Sequence, residues 1–237
     1  MVGTSDAYDF NSNVTEERWY SVSNQLVRTM TFSYDVLGNM LTTQDPDTDY
    51  RFTYDALNRL IEQDNNATGS IDAPRVVLSY GYDAQGNVIR TRDDRGVTVD
   101  SEYDSQNRLA TRIWYDNDVP TGEEPEVEPI RIDMFYSAAG RNTEIRRWSD
   151  LERNNLISRT ERTYLTNGRS NTIDHVDATD AILAGYDYDY NFAGFLVHET
   201  RTNQDPTRDQ TIEYGYDLTG QLLSADYDTT AGRDLHL

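Results

Sequence analysis

The stretch Tyr34–Met40, YDVLGNM, returns 20 residues later as Tyr54–Leu60, YDALNRL, and this recurrence decides the fold. The phrase opens again at Tyr82 (YDAQGNV), Tyr103 (YDSQNRL), Tyr136 (YSAAGRN), Tyr164 (YLTNGRS), Tyr190 (YNFAGFL) and Tyr216 (YDLTGQL). Successive tyrosines lie 20, 28, 21, 33, 28, 26 and 26 residues apart. A fixed unit joined by connections of variable length is the signature of a repeat architecture.

Each place in the phrase has a physical reason. Asp35, Asp55, Asp83, Asp104, Asn191 and Asp217 follow the tyrosine, where a short acceptor bonds the backbone two residues on and starts a type I turn. The turn closes on Gly38, Asn58, Gly86, Asn107, Gly140, Gly168, Gly194 or Gly220, the two residue types most at ease with positive φ. Two residues further, Met40, Leu60, Val88, Leu109, Leu196 and Leu222 return an apolar side chain to the tyrosine face. Phe32, Phe52, Tyr80, Tyr188 and Tyr214, two residues before the key tyrosine, extend that face along a strand. Each phrase is therefore expected to be one β-hairpin, with partial units at Tyr8-Asp9 and Tyr227-Asp228.

A lone hairpin is marginal in water, so the units are expected to pair side by side. The fold class that follows is all-β: an array of antiparallel hairpins forming one wide sheet that twist makes curve or spiral. Residues 1–237 read as a single array. Two surface excursions interrupt it, an acidic Pro/Glu loop at 118–130 and another around Asn65–Pro74.

Composition narrows the function. Hydrophobic residues make up 36% of the 237, and 17 of them are tyrosine, so tyrosine is the main packing material. The net charge of −21 opposes phosphate backbones and removes nucleic acid from the partners. All 21 basic residues are arginine, suited to bidentate pairing with carboxylates. There is no cysteine, hence no disulfide and no thiolate chemistry. No apolar run is long enough to span a membrane, and the N-terminus lacks a signal-type pattern.

Catalytic and metal motifs were weighed against solvated-surface readings. His175, His198 and His236 fall on different elements at no ligand spacing. Asp45-Pro46-Asp47-Thr48-Asp49 imitates the start of a calcium loop, but Tyr50 and Ala56 stand where such a loop needs Gly and Glu. Glu123, Glu124, Glu126 and Glu128 read as an exposed loop. No catalytic, cofactor-binding or metal residues are assigned, and the chain is not expected to be an enzyme.

The phrase YDxxGxL, eight times over nearly the whole chain, resembles the YD repeats of the Rhs, insecticidal Tc toxin and teneurin superfamily. That resemblance implies a β-sheet wound into a shell which in the bacterial toxins encloses a C-terminal polypeptide, and which in teneurins serves cell-surface adhesion. It implies as partners other repeats or domains of the same parent protein, and a secreted or surface-exposed location. The family's closing segment, ending in Asp-Pro-x-Gly with an aspartyl self-cleavage site, has no counterpart, so a middle portion of a longer array is expected. Ser137, Leu165 and Asn191 depart from the Asp of the pattern. The expected function is a non-catalytic wall; the competing one is a binding module whose Tyr-rich faces engage glycans or a receptor.

Overall fold

The computed structural model describes residues 3–66, 74–116, 128–229 and 235–236. Among these the chain is all-β: nineteen strands and a single 3-10 turn at Pro206–Arg208. Two compact units emerge, residues 3–101 with 114–116 and residues 102–113 with 128–236.

In the first unit the strands are β1 Gly3–Tyr8, β2 Val14–Tyr20, β3 Leu26–Tyr34, β4 Met40–Gln44, β5 Asp49–Tyr54, β6 Leu60–Asp64, β7 Val77–Tyr82 and β8 Val88–Asp93. Strands β9 Val97–Tyr103 and β10 Leu109–Asp116 give residues to both units. Each of β1 to β8 pairs antiparallel with the next, and β8 with β9. The second unit continues with β11 Ile130–Tyr136, β12 Asn142–Trp148, β13 Leu156–Tyr164, β14 Ser170–Asp177, β15 Ile182–Tyr190, β16 Leu196–Asn203, β17 Gln210–Tyr216, β18 Leu222–Thr229 and β19 Leu235–His236. It is again a meander of consecutive antiparallel pairs. The strand connections within the described residues are thus local reversals, which the turn-rich sequence supplies.

Alternation sets the faces. Along β15, Tyr186, Tyr188 and Tyr190 are half-buried on one side while Asp187 and Asp189 are exposed on the other. Fully buried apolar side chains are few: Val176, Ile212 and Ala225. The best-buried positions are as often polar, and each such group needs its bonds made inside the protein. Asp133, 3% exposed, is clasped by Arg131 Nε at 2.9 Å, Arg153 Nε at 2.7 Å, Trp148 Nε1 at 3.0 Å and Thr111 Oγ1 at 3.1 Å. Burial pushes its carboxyl upward, but the Arg153 and Arg131 contacts outweigh that and hold it below the usual carboxylate range. Near Ile212, Glu199 accepts from Arg201 Nε at 2.6 Å and from the Tyr214 hydroxyl at 3.0 Å. Burial, then the Glu199 contact, pushes Tyr214 up to about 12.

Tyr227 and Asp228 sit inside β18, paired with Ile212 and Thr211 of β17, and Tyr227 also pairs with Leu235 of β19. Residues 230–234, which connect those two strands, lie outside the described residues. Tyr8-Asp9 opens a whole unit, with Ser12 at φ 67°. The excursion at 118–130 falls mostly on residues 117–127, and that at Asn65–Pro74 on 67–73, outside the described residues.

Candidate functional site: the clasp between hairpin tips

The site is the tip of each hairpin and its contact with the next. At Asp35 the carboxylate Oδ1 accepts the backbone N–H of Leu37 and of Asn39, both at 2.9 Å, while Oδ2 accepts from the Asn39 side chain at 2.9 Å. Asp83 repeats this with Gln85 and Asn87. At Asp55 and Asp104 an arginine takes the asparagine's place, Arg59 Nε and Arg108 Nε each donating to Oδ2 at 2.7 Å. These bonds to the charged form hold the four carboxyls below their ordinary range; the Asn39 side chain is the main cause at Asp35 and the Arg108 guanidinium at Asp104. Asp217 caps its turn through Thr219 and Gln221.

The turn residues Gly38, Asn58, Gly86, Asn107, Gly140, Gly168, Gly194 and Gly220 all take positive φ, from 61° at Asn58 to 93° at Gly168. Register then slips by one residue at the tyrosine, as between Ser33 and Tyr34, where Tyr34 faces Met40. A type I turn closed by a left-handed residue produces this bulge and fixes which side chains return to the tyrosine face.

The tyrosines Tyr34, Tyr54, Tyr82, Tyr103, Tyr136, Tyr164, Tyr190 and Tyr216 are all half-buried. Five of them donate their hydroxyl to a carbonyl of the preceding hairpin, six residues past that hairpin's own tyrosine. Tyr34 reaches Val14 O at 2.9 Å, Tyr54 reaches Met40 O at 2.9 Å and Tyr82 reaches Leu60 O at 2.5 Å. Tyr136 reaches Leu109 O at 2.8 Å and Tyr164 reaches Asn142 O at 2.7 Å. The tyrosine is a backward-pointing clasp.

A forward-pointing one comes from a position that sequence reading passed over, the residue after the turn Gly or Asn. Its arginines lie on the next hairpin's tyrosine ring: Arg59 on Tyr82 at 4.5 Å, Arg108 on Tyr136 at 4.4 Å, Arg141 on Tyr164 at 5.6 Å and Arg169 on Tyr190 at 5.4 Å. Phe195 stacks on Tyr216 at 5.0 Å, and Asn39 donates to Asn58 Oδ1 at 3.2 Å. The lateral partner of these rings is thus the sixth residue of the previous unit.

Two arginine arrangements follow from the residue after the tyrosine. Arg59 and Arg108, tethered by Asp55 and Asp104, sit close over their rings and do not crowd the next glycine: nothing lies within 4 Å of a Cβ built at Gly86, and Arg108 comes only to 3.8 Å of one at Gly140. In the hairpins of Ser137 and Leu165 the tether is gone, and Arg141 and Arg169 lie across Gly168 and Gly194, where a Cβ would overlap them. Phe195 covers Gly220 in the same way, 2.5 Å from such a Cβ. These glycines serve both turn geometry and close approach.

The remaining candidates lie apart. Asp45 and Asp47, of the calcium-like stretch, are both taken by Arg28, with Nε and Nη2 at 3.0 and 2.6 Å from Asp45 and Nη2 at 2.9 Å from Asp47. His175 on β14 and His198 on β16 bond Thr160 and Asp189.

Fold and site together define a protein of tandem antiparallel hairpins, each clasped to its neighbours through tyrosine. The RHS Repeat family model matches residues 34–71 and 78–113, so the chain carries RHS repeats there. Among solved structures, the TcdB2-TccC3-TEV crystal structure shares the fold with a TM-score of 0.57 at 15% identity, over 98% of this chain and 15% of that one. The Tc holotoxin pore of Photorhabdus luminescens gives 0.46 at 15% identity, again over 98% of this chain and 15% of that one. The chain therefore spans about 15% of the length of these neighbours. No curated protein matches it in sequence.

Proposed function

We propose that this chain is a non-catalytic wall segment of a larger RHS-repeat protein, exported or surface-exposed, whose sheet encloses or displays another polypeptide of the same parent. Residues 1–237 act in this reading as one array, with Tyr34, Asp35, Gly38 and their equivalents as its structural motif. One observation carries it: the chemistry-bearing side chains of the repeat are spent on the repeat. The tyrosine hydroxyls at 34, 54, 82, 136 and 164 bond the neighbouring backbone, and the aspartates bond their own turns. The Tc toxin likeness supports the fold on which this rests. The competing glycan reading would have to use other rings than these five.

Limited proteolysis of the full-length parent tests containment. Tyr54→Ala with Tyr82→Ala should open the wall and speed cleavage of the enclosed polypeptide relative to the unaltered protein. Equal cleavage rates in both, with circular dichroism reporting loosened hairpins, overturn the wall reading.

A further inference from the structure

Inside the second unit the hydroxyl clasp is missing at Tyr190 and at Tyr216, and at Tyr190 a hollow opens beside the ring. By the spacing of the other hairpins, Tyr190 should donate to the carbonyl of Ser170, as Tyr164 does to Asn142. Its hydroxyl bonds nothing among the described residues. Beside it opens a hollow of about 390 Å³ lined by Asn167, Arg169, Tyr190, Asn191 and Phe192. Phe192 stands fully exposed at 114%.

The charge in this hollow differs from that of the tethered hairpins. At the sixth position of the unit, Arg59 and Arg108 each have a carboxylate from their own turn. Arg169 has Leu165 in that place and no carboxylate partner among the described residues. Its guanidinium rests over the Tyr190 ring at 5.4 Å and lies across the bare backbone of Gly194. In a chain of net charge −21 this is a cation left without its acid, next to a free hydroxyl and an exposed aromatic ring.

We propose that the hollow between the β13–β14 and β15–β16 tips binds a peptide segment bearing a carboxylate, which takes the place Asp55 and Asp104 hold in their own hairpins. The carboxylate bonds the Arg169 guanidinium and the Tyr190 hydroxyl, and an adjoining apolar residue covers Phe192. The ligand class follows from the chain itself: the same arginine position, wherever it is tethered, is tethered by carboxylate.

The test is a titration of the full chain with acetylated, amidated Asp-Phe-Asp and with its Asn-Phe-Asn counterpart, followed by NMR. Salt at about 0.15 M shortens the reach of the protein's overall negative charge to about 8 Å. The Arg169 Nε–H and the amides of Asn191 and Phe192 should shift saturably with the acidic peptide and stay still with the amide one. Leu165→Asp, which supplies the missing tether, should weaken binding at least tenfold, as should Arg169→Gln. Equal binding of both peptides, undiminished binding to Leu165→Asp, or equal shifts at Arg59 and Arg108 would overturn the site. Such a failure leaves the wall reading standing, because that reading is tested on other hairpins.

Discussion

Tyr164→Phe and Tyr190→Phe remove the same atom from the same unit, and only one of them should matter. The Tyr164 hydroxyl donates to Asn142 O at 2.7 Å from a half-buried position, while the Tyr190 hydroxyl has no acceptor among the described residues. Phenylalanine keeps each ring under its arginine, Arg141 at 5.6 Å and Arg169 at 5.4 Å, so the substitution isolates the hydrogen bond. A neutral bond of this kind contributes about 0.5–1.5 kcal/mol net, and the carbonyl abandoned at Asn142 places the expected loss near 1 kcal/mol. That corresponds to a fall in Tm of about 2–4 °C. Tyr190→Phe should leave stability within about 0.5 kcal/mol of the parent, the range of ordinary surface changes. Thermal unfolding followed by circular dichroism on the full chain reads both. Equal shifts for the two variants, or a larger one for Tyr190→Phe, would refute the assignment of the tyrosine as an inter-hairpin clasp.

Gly220→Ala should cost more than Gly140→Ala. Both suffer about 1–2 kcal/mol from positive φ, but only at 220 does the new Cβ push Phe195 off Tyr216, forfeiting a further ~0.5–1.5 kcal/mol; equal denaturant midpoints would argue against close approach there. His175 is held neutral by burial, then by Arg147 and Arg162, so its folded pKa lies below 6.5. Its contribution is therefore complete above pH 6.5 and declines as pH falls toward the folded value, a slope that His175→Gln should remove from a pH series of urea midpoints. The turn aspartates also have depressed folded values, so the stability they add persists above pH 3.8 and is lost on acidification below it; Asp104→Asn should lower stability near pH 6 and flatten that acid limb, leaving the slope near pH 6 unchanged.

The hairpins were legible because their determinants are local. A carboxylate reaching two residues on and a Gly or Asn at positive φ act within one phrase, so Tyr34 to Met40 already contains everything that turns the chain. Ser12 and Arg153 were not legible as left-handed residues, since their types carry only weak preference for φ of 66–67°. The forward clasp escaped for another reason. The column Asn39, Arg59, Asn87, Arg108, Arg141, Arg169 is visible in the repeat, but the partner of each lies in the next hairpin, across a connection of unfixed length. Asp133 is the extreme case: its four donors come from β10, β11, β12 and the residues after β12, and nothing in the phrase announces them.

From each key tyrosine to the residue that opens the returning strand the count is always six, so all variation in spacing falls beyond that residue, on strand lengths and on the connections at the opposite edge. Insertions there leave every hydroxyl-to-carbonyl bond and every arginine-on-ring contact in register. The two edges consequently answer to different rules of change. A residue gained or lost inside a tip breaks contact with two neighbours at once, whereas the far edge accepts added chain at the cost of loop entropy alone, about 0.6 kcal/mol for each doubling of loop length. The far edge is where foreign sequence can be grafted into this protein without disturbing the sheet that carries it.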